Sequence, residues 1–187
     1  MGHYFEMAIR PDPDFVVETI INSVYNRFHL ILADQKELNI GISFPDYDLS
    51  AKRLGSRLRF HGEVNHLTVL KPLLQQGGVQ DYVSSTEIQV LPQTSEYVAV
   101  HRVQVKSNPL RLARRYARRH QITEEEALLK YQSAKSEYVS LPYVVMNSRS
   151  SGQRFRLFIR QERVNENNGK GRFNTYGLSK EATLAYF

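Results

Sequence analysis

Residues 3–10, HYFEMAIR, set Phe5, Met7 and Ile9 on one side of an alternating run, which predicts a strand. RPDPD then turns the chain, and Asp14 is the expected cap of the segment that follows. From Phe15 to about Ala33, Val16, Ile20, Val24, Phe28, Ile31 and Leu32 recur with helical spacing. Ile40–Phe44 predicts a short strand stopped by Pro45, PDYDLSAKRLGS a loop, and Arg57–His61 a third strand. Val64, Leu67, Leu70 and Leu74 predict a second helix closed by Gly77-Gly78, and Thr86–Leu91 a fourth strand before Pro92. The order βαββαβ fits a ferredoxin-like, RRM-like sandwich. The third strand, RLRFH, lacks an RNP1-like aromatic signature, so its sheet is expected to be scaffold and not a base-stacking platform.

After Pro92 the pattern changes, and a boundary is expected near 93–97. The chain then reads as an α+β protein with a ferredoxin-like domain over 1–94 and a smaller α+β domain over 95–187. YVAVHRVQVK (97–106) predicts an extended segment with Val98, Val100, Val103 and Val105 as its apolar positions. The alternation slips between 100 and 103, where a bulge is expected. Arg102 and Gln104 share a parity; Arg suits guanine edges and Gln adenine edges, although such pairs are equally often ordinary surface. SNPLRLARRYARRH (107–120) follows, with Asn108 as the expected N-cap and Pro109 as the first helical residue. Arg111, Arg114, Arg115, Arg118 and Arg119 fall on one helical face, and Leu112, Ala113, Tyr116 and Ala117 on the other. Thr123-Glu124-Glu125-Glu126 is a capping box opening another helix through about Lys135. Strands are expected at Tyr143–Ser148, Arg154–Arg160 and Arg172–Tyr176, with NENNGKG (165–171) turning between the last two.

Charge sharpens this pattern. The net charge of the 187 residues is +6, from 25 basic and 19 acidic side chains. Seven of the basic residues lie between 97 and 123, where there is no acid, so the remainder is close to neutral. An acid-free arginine face repels itself unless a polyanion lies against it, whereas a merely solvated helix mixes signs. Nucleic acid is the expected partner. The absence of cysteine excludes disulfides, thiolate metal sites and cysteine nucleophiles. No apolar run approaches the ~18 residues of a membrane span. The N-terminus does not read as a signal peptide, so no membrane partner and a cytoplasmic location are expected.

Metal ligands are poorly supplied: there is no HExxH, and Glu124–Glu126 read as first-turn acids complementing a helix dipole. A nuclease without metal must cut RNA through its own 2′-OH, which requires a base, groups that orient the sugar and donors around the phosphate. Histidine is the usual base. Of His3, His29, His61, His66, His101 and His120, His29 stands out beside Phe28, late in the first helix and next to its core-facing stripe. A single histidine there is more often a packing residue, and Ser148 and Ser150 in NSRSSGQRF are equally at home in a turn.

Taken together, KSNP (106–109), RRYARRH (114–120), TEEEA (123–127), SRSSGQRFRLFIR (148–160) and YGLSK (176–180) resemble the subtype I-F CRISPR repeat-processing endoribonuclease. HY at 3–4, RPDP at 10–13, His29, GISFPD at 41–46 and RLGSRLRFH at 53–61 extend the resemblance through the N-terminal half. It implies an enzyme that cuts the CRISPR precursor transcript at the 3′ base of each repeat hairpin, leaving a 2′,3′-cyclic phosphate and a 5′-OH, with no metal or cofactor. It further implies His29 as general base on the 2′-OH, Ser148 holding that ribose, Ser150 near the backbone, and Tyr176 orienting His29 or the sugar. Phe155 would stack on the base pair closing the stem, and Arg102 and Gln104 would read base edges in the lower stem. Arg115, Arg118, Arg119 and His120 would line the groove, with Arg111 and Arg114 on phosphates. The implied partners are the repeat hairpin, as precursor and as mature crRNA, and other Cas proteins of the subtype I-F surveillance complex. The A-form major groove is normally too narrow to read, so such a helix must work where a short hairpin ends and the groove opens.

Two other classes compete. Two capped helices meeting at 120–123 could form a helix-turn-helix in a DNA-binding regulator, but the arginines are then on the first helix and not on the recognition helix. A structural RNA-binding protein without activity is the third reading.

Overall fold

The computed structural model describes residues 2–94, 96–104, 109–131, 139–149, 151–168 and 171–187. The fold is mixed α+β, and the chain packs as two compact units. The first is the chain up to Val103 together with Leu141–Phe187, and the second is Gln104–Ser140.

The first unit opens with β1 (His3–Ile9), α1 (Val17–Asp34), β2 (Gly41–Ser43), β3 (Arg57–Gly62) and α2 (Val64–Gln75). Two short strands follow, β4 (Val83–Ser85) and β5 (Gln89–Val90). The antiparallel sheet runs β2-β3-β1-β4, and β5 also pairs with β1. The alternation of HYFEMAI does what period two demands, burying Phe5, Met7 and Ile9. Phe5 is the register partner of Phe60 and stacks on it at 4.9 Å, and Phe28 of α1 meets Phe60 edge-on at 5.1 Å. On α1 the buried stripe is Ile20, Ile21, Val24, Tyr25, Phe28 and Leu32, whereas Val16 is largely exposed. Leu67, Leu70 and Leu74 bury α2, which stops before Gly77 and Gly78, both at positive φ.

Two local expectations need correction. Asp14 does not cap α1, whose N-cap is Val16 with no side-chain bond. Instead the carboxylate of Asp12 accepts from the amides of Asp14 and Phe15 at 2.9 and 3.0 Å, because an Asx side chain best reaches amides two and three residues ahead. The fourth strand is not continuous over 86–91. Thr86 inserts its hydroxyl into the ladder, accepting from the Glu6 amide at 2.9 Å, and pairing resumes only at Gln89.

The rest of the first unit is a second antiparallel sheet, β7-β8-β6-β9, built from β6 (Tyr97–Val103), β7 (Tyr143–Asn147), β8 (Arg154–Val164) and β9 (Thr183–Ala185). Its register is unbroken from Tyr97↔Val164 to Val103↔Phe158, so the expected bulge is absent. Alternation fades after Val100 because the strand leaves the core there and both faces become half-exposed. Residues 172–176 form no strand; Asn174 turns the chain, and the edge strand comes later, at Thr183–Ala185.

Val98, Val100, Val144, Met146, Leu157, Ile159 and Leu184 belong to the same continuous core as Phe5 and Phe60. The Gln161 amide ties the sheets together, accepting from the Phe44 amide and donating to its carbonyl, both at 2.8 Å. A Cβ on Gly41 would lie 2.7 Å from Leu184 and Phe173, so the approach of β2 to the C-terminal segment requires a residue without one. The compact units divide at 103/104 and 140/141.

The second unit contains α3 (Pro109–His120) and α4 (Glu124–Tyr131), with Ala113, Ala117 and Ala127 buried between them and Tyr116, Leu128 and Tyr131 packed around. Small side chains let two short helices approach closely. Gln121 takes the left-handed conformation (φ +54°) after α3, and the Ile122 amide returns to the Ala117 carbonyl at 3.2 Å, closing the helix as a glycine would. The capping box is made in both directions: Glu126 N–H to Thr123 Oγ1 at 3.2 Å and Thr123 N–H to Glu126 Oε2 at 3.0 Å. The Thr123 amide, and then its hydroxyl, both donating to Glu126 Oε2, hold that carboxyl below its ordinary range. Asn108, Val105 and the expected continuation of α4 to Lys135 lie outside the described residues. Among the described residues no helix is long and apolar enough to cross a membrane.

Candidate active site

Phe28 is fully buried and anchors the second half of α1, which leaves the adjacent His29 half-exposed at the edge of the core. Its ring lies flat on Tyr176, with centroids 4.1 Å apart and 7° between planes. Its Nδ1 is 2.9 Å from the Thr175 carbonyl oxygen. A carbonyl only accepts, so Nδ1 carries the proton in that bond and, in the neutral ring, Nε2 keeps its lone pair. A histidine held this way presents a base.

The Thr175–Tyr176 segment is seated by its backbone. Tyr25 is fully buried on α1, and its hydroxyl donates to the Tyr176 carbonyl at 2.8 Å. Burial, and then the neighbouring Tyr176, push the Tyr25 phenol well above its ordinary pKa, which keeps it a donor. The next carbonyl, Gly177, accepts from the Ile42 amide at 3.0 Å and so extends the β2 edge. Gly177 has φ +71°, and a Cβ there would stand 2.6 Å from the Phe28 ring. That glycine lets the loop lie against the helix that carries His29.

Ser148 reaches the neighbourhood through the β7–β8 turn. Asn22 and Asn26 of α1 satisfy the free edge of β7: the Val145 amide donates to Asn22 Oδ1 at 2.8 Å, Asn26 Nδ2 donates to the Val145 carbonyl at 2.7 Å, and the Asn147 amide donates to Asn26 Oδ1 at 2.9 Å. Beyond the strand end, Arg149 pairs with Asp34 at 2.6 Å. Ser148 is thus tethered on both sides to the length of α1 that contains His29. Its Oγ accepts from the Ser151 hydroxyl at 2.8 Å, and its amide pairs with the Gln153 carbonyl at 2.9 Å. Ser150 lies outside the described residues.

Arg102 and Phe155 join the same group. The Arg102 guanidinium stands 5.8 Å from the Phe155 ring centre and 5.9 Å from that of Tyr176, within cation–π range of both. His29, Tyr176, Arg102 and Phe155 therefore form one connected series, drawn from α1, the 172–179 loop, β6 and β8. Gln104 follows the end of β6 and is exposed. Thr175 and Asn174 escaped the sequence reading, because the one acts through its carbonyl and the other through loop geometry. Asn26 escaped because an asparagine on a helix gives no sign of the strand edge it meets.

In the second unit, Arg114, Arg115, Arg118, Arg119 and His120 are exposed, opposite buried Ala113 and Ala117. Arg111 belongs to α3, but its side chain lies outside the described residues. Arg114 pairs with Glu124 at 3.2 Å, and both are largely exposed, so the bond is weak and easily exchanged. Arg115, Arg118 and Arg119 have no acidic partner among the described residues. His120 packs on Tyr116 at 4.1 Å, and Tyr116 accepts a hydrogen bond from Lys130 at 2.9 Å. Glu124 and Glu126 are thus occupied by an ion pair and a helix cap.

The family described as CRISPR-associated protein (Cas_Csy4) matches residues 4–187. A protein of Pseudomonas aeruginosa (strain UCBPP-PA14), named CRISPR-associated endonuclease Cas6/Csy4, is 40% identical over the full length of both chains. A protein of the same name from Escherichia coli (strain UTI89 / UPEC) is 36% identical, again over the full length of both. With the match running through residues 4–187 and both relatives alike over their full length, the chain belongs to the Csy4 family of CRISPR-associated proteins.

Proposed function

We propose that this chain is a sequence- and structure-specific endoribonuclease that cleaves precursor CRISPR RNA at the 3′ base of the repeat hairpin and stays on the mature crRNA. The observation that carries the reading is the bond from His29 Nδ1 to the Thr175 carbonyl, which leaves Nε2 to accept a proton. In the reaction the 2′-oxygen before the cut attacks the adjacent phosphorus as its proton passes to His29 Nε2. The 5′-oxygen leaves and takes up a proton, giving a 2′,3′-cyclic phosphate and a 5′-OH without a metal ion. Ser148 holds the attacking ribose, with Ser150 alongside, and Tyr176 keeps the imidazole flat and in place. Phe155 stacks on the terminal base pair. Arg102 and Gln104 read base edges, Arg115, Arg118, Arg119 and His120 line the groove, and Arg111 and Arg114 meet phosphates.

The sheet order β2-β3-β1-β4 with two helices supports a ferredoxin-like fold for 1–94, carrying the base, and residues 95–187 supply the hairpin-binding elements. Other Cas proteins of a subtype I-F surveillance complex would assemble around the retained product in the cytoplasm. The helix-turn-helix regulator is not favoured, since both relatives are named endonucleases.

The deciding experiment incubates the protein with its own genome's repeat RNA, with and without excess chelator, and determines the end groups. The expected products are a cyclic phosphate and a 5′-OH at unchanged rate in chelator. A 3′-OH product, or activity lost with chelator, would overturn the reading. Hairpin binding should also weaken with salt, each phosphate-bound arginine adding about −0.7 to −0.9 to the log–log slope. The double change Arg111→Ala, Arg114→Ala should flatten that slope by about 1.4 to 1.8, read from affinities across a salt series.

A further inference from the structure

We infer that Asn174 is a positioning residue that fixes the tautomer of His29, acting through the carbonyl of Thr175; the inference rests on the reading of His29 as the general base. Neutral imidazole has two tautomers, and only the one protonated on Nδ1 leaves Nε2 free to take a proton. The group that selects the tautomer here is a main-chain carbonyl, so the selection is only as firm as the turn that aims it. Asn174 makes that turn. Its side-chain Oδ1 accepts from the Tyr176 amide at 2.8 Å and from the Leu178 amide at 3.3 Å. Its own amide donates to the Leu178 carbonyl at 3.0 Å, and its carbonyl accepts from the Gly177 amide at 2.8 Å.

Four hydrogen bonds from one residue thus close residues 174–178 into a single loop. Tyr25 and Ile42 hold its far side through the Tyr176 carbonyl and Gly177 carbonyl. The Thr175 carbonyl is the one turned toward His29. Asn174 is itself exposed, so its bonds serve the shape of the loop and not the filling of the core. An Asx side chain that accepts amides two and four residues ahead imposes a turn that a residue without a side-chain acceptor does not.

The test reads the tautomer directly. Imidazole 15N spectra of the full chain without RNA, at a pH of about 8.5 where histidine is neutral, should show His29 protonated on Nδ1. Asn174→Ala should shift that signal toward the Nε2-protonated form and lower the single-turnover cleavage rate by about tenfold or more, with hairpin affinity changed by less than about threefold. Asn174→Asp retains an oxygen for the same two amides and should restore the wild-type tautomer. A purely structural role predicts lower stability in Asn174→Ala with the tautomer unmoved, and that result overturns the inference. So does a wild-type His29 already protonated on Nε2, a measurement that needs no variant to fold. Cleavage that survives His29→Ala would remove the base assignment instead, and the tautomer spectra would stand apart from it.

Discussion

His29→Ala is expected to lower the single-turnover rate of hairpin cleavage by about 10²–10⁴-fold, the span that a positioned general base contributes. Hairpin affinity should stay within about tenfold, or 1.4 kcal/mol. The two effects separate because the substitution removes one half-exposed ring from the end of α1 and leaves every arginine of α3 in place. Loss of the ring also frees one face of Tyr176, which still keeps its backbone bonds to Tyr25 and Asn174 and its proximity to Arg102. The fold should therefore survive, and melting of the variant is the control. Measuring cleavage at enzyme excess and binding on a substrate with a 2′-deoxy nucleotide before the cut keeps rate and affinity apart. A variant that still cleaves at the wild-type rate would take His29 out of the chemistry.

Acid should destabilise the protein through a different histidine. His61 on β3 is completely buried, with Nε2 2.8 Å from the Ser43 hydroxyl and no partner for Nδ1 among the described residues. Burial, and then the positive charge of Arg59, depress its pKa to about 3. An unfolded histidine titrates near ~6.5, so between these values the unfolded chain takes up a proton that the folded chain refuses. This contribution to stability is complete above ~6.5 and is lost as pH falls toward the folded value, by about 1.4 kcal/mol per unit. At pH 5 that amounts to about 2 kcal/mol, or a fall in Tm of about 4–8 °C for a chain of this size. His61→Gln can still bond Ser43 but does not titrate, so its Tm should change less between pH 7.5 and 5 than that of the wild type. Equal acid sensitivity in the two would exclude His61 as the cause. Asp46, held below its ordinary range by Arg57, adds a loss of the same sign, but only below about 4, where an unfolded carboxylate titrates.

Much of this protein follows from local pattern. The alternation of Phe5, Met7 and Ile9 and the helical spacing of Ile20, Val24, Phe28 and Leu32 determine their elements, because each burial pattern has only one matching backbone period. The caps are equally local: Thr123 and Glu126 satisfy one another within a single turn. The arginine face of α3 is a sequence property too, since its Ala113 and Ala117 leave one side able to pack. Residues 172–176 show where that logic stops. Arg172–Tyr176 has the composition of a strand, yet Asn174 folds it into a loop, and the bonds that decide this run to Asn39, Ile42 and Tyr25, between about 130 and 150 positions away in sequence. The extent of the compact units was hidden for the same reason. Strands that continue the core of the N-terminal sheet lie beyond α3 and α4, so chain order and compact unit do not coincide.

What the sequence alone determined is the inventory: an amphipathic α1 ending near a histidine, a basic helix with an apolar back, and the motifs of the family. Only the tertiary structure decided that His29 lies on Tyr176, that Arg102 and Phe155 belong to the same series, and that the Nδ1 proton of His29 points at a carbonyl. A side chain's type can be read from its letter. Its tautomer depends on which backbone oxygen the fold brings within 2.9 Å, and that is a property of contacts far apart in the chain.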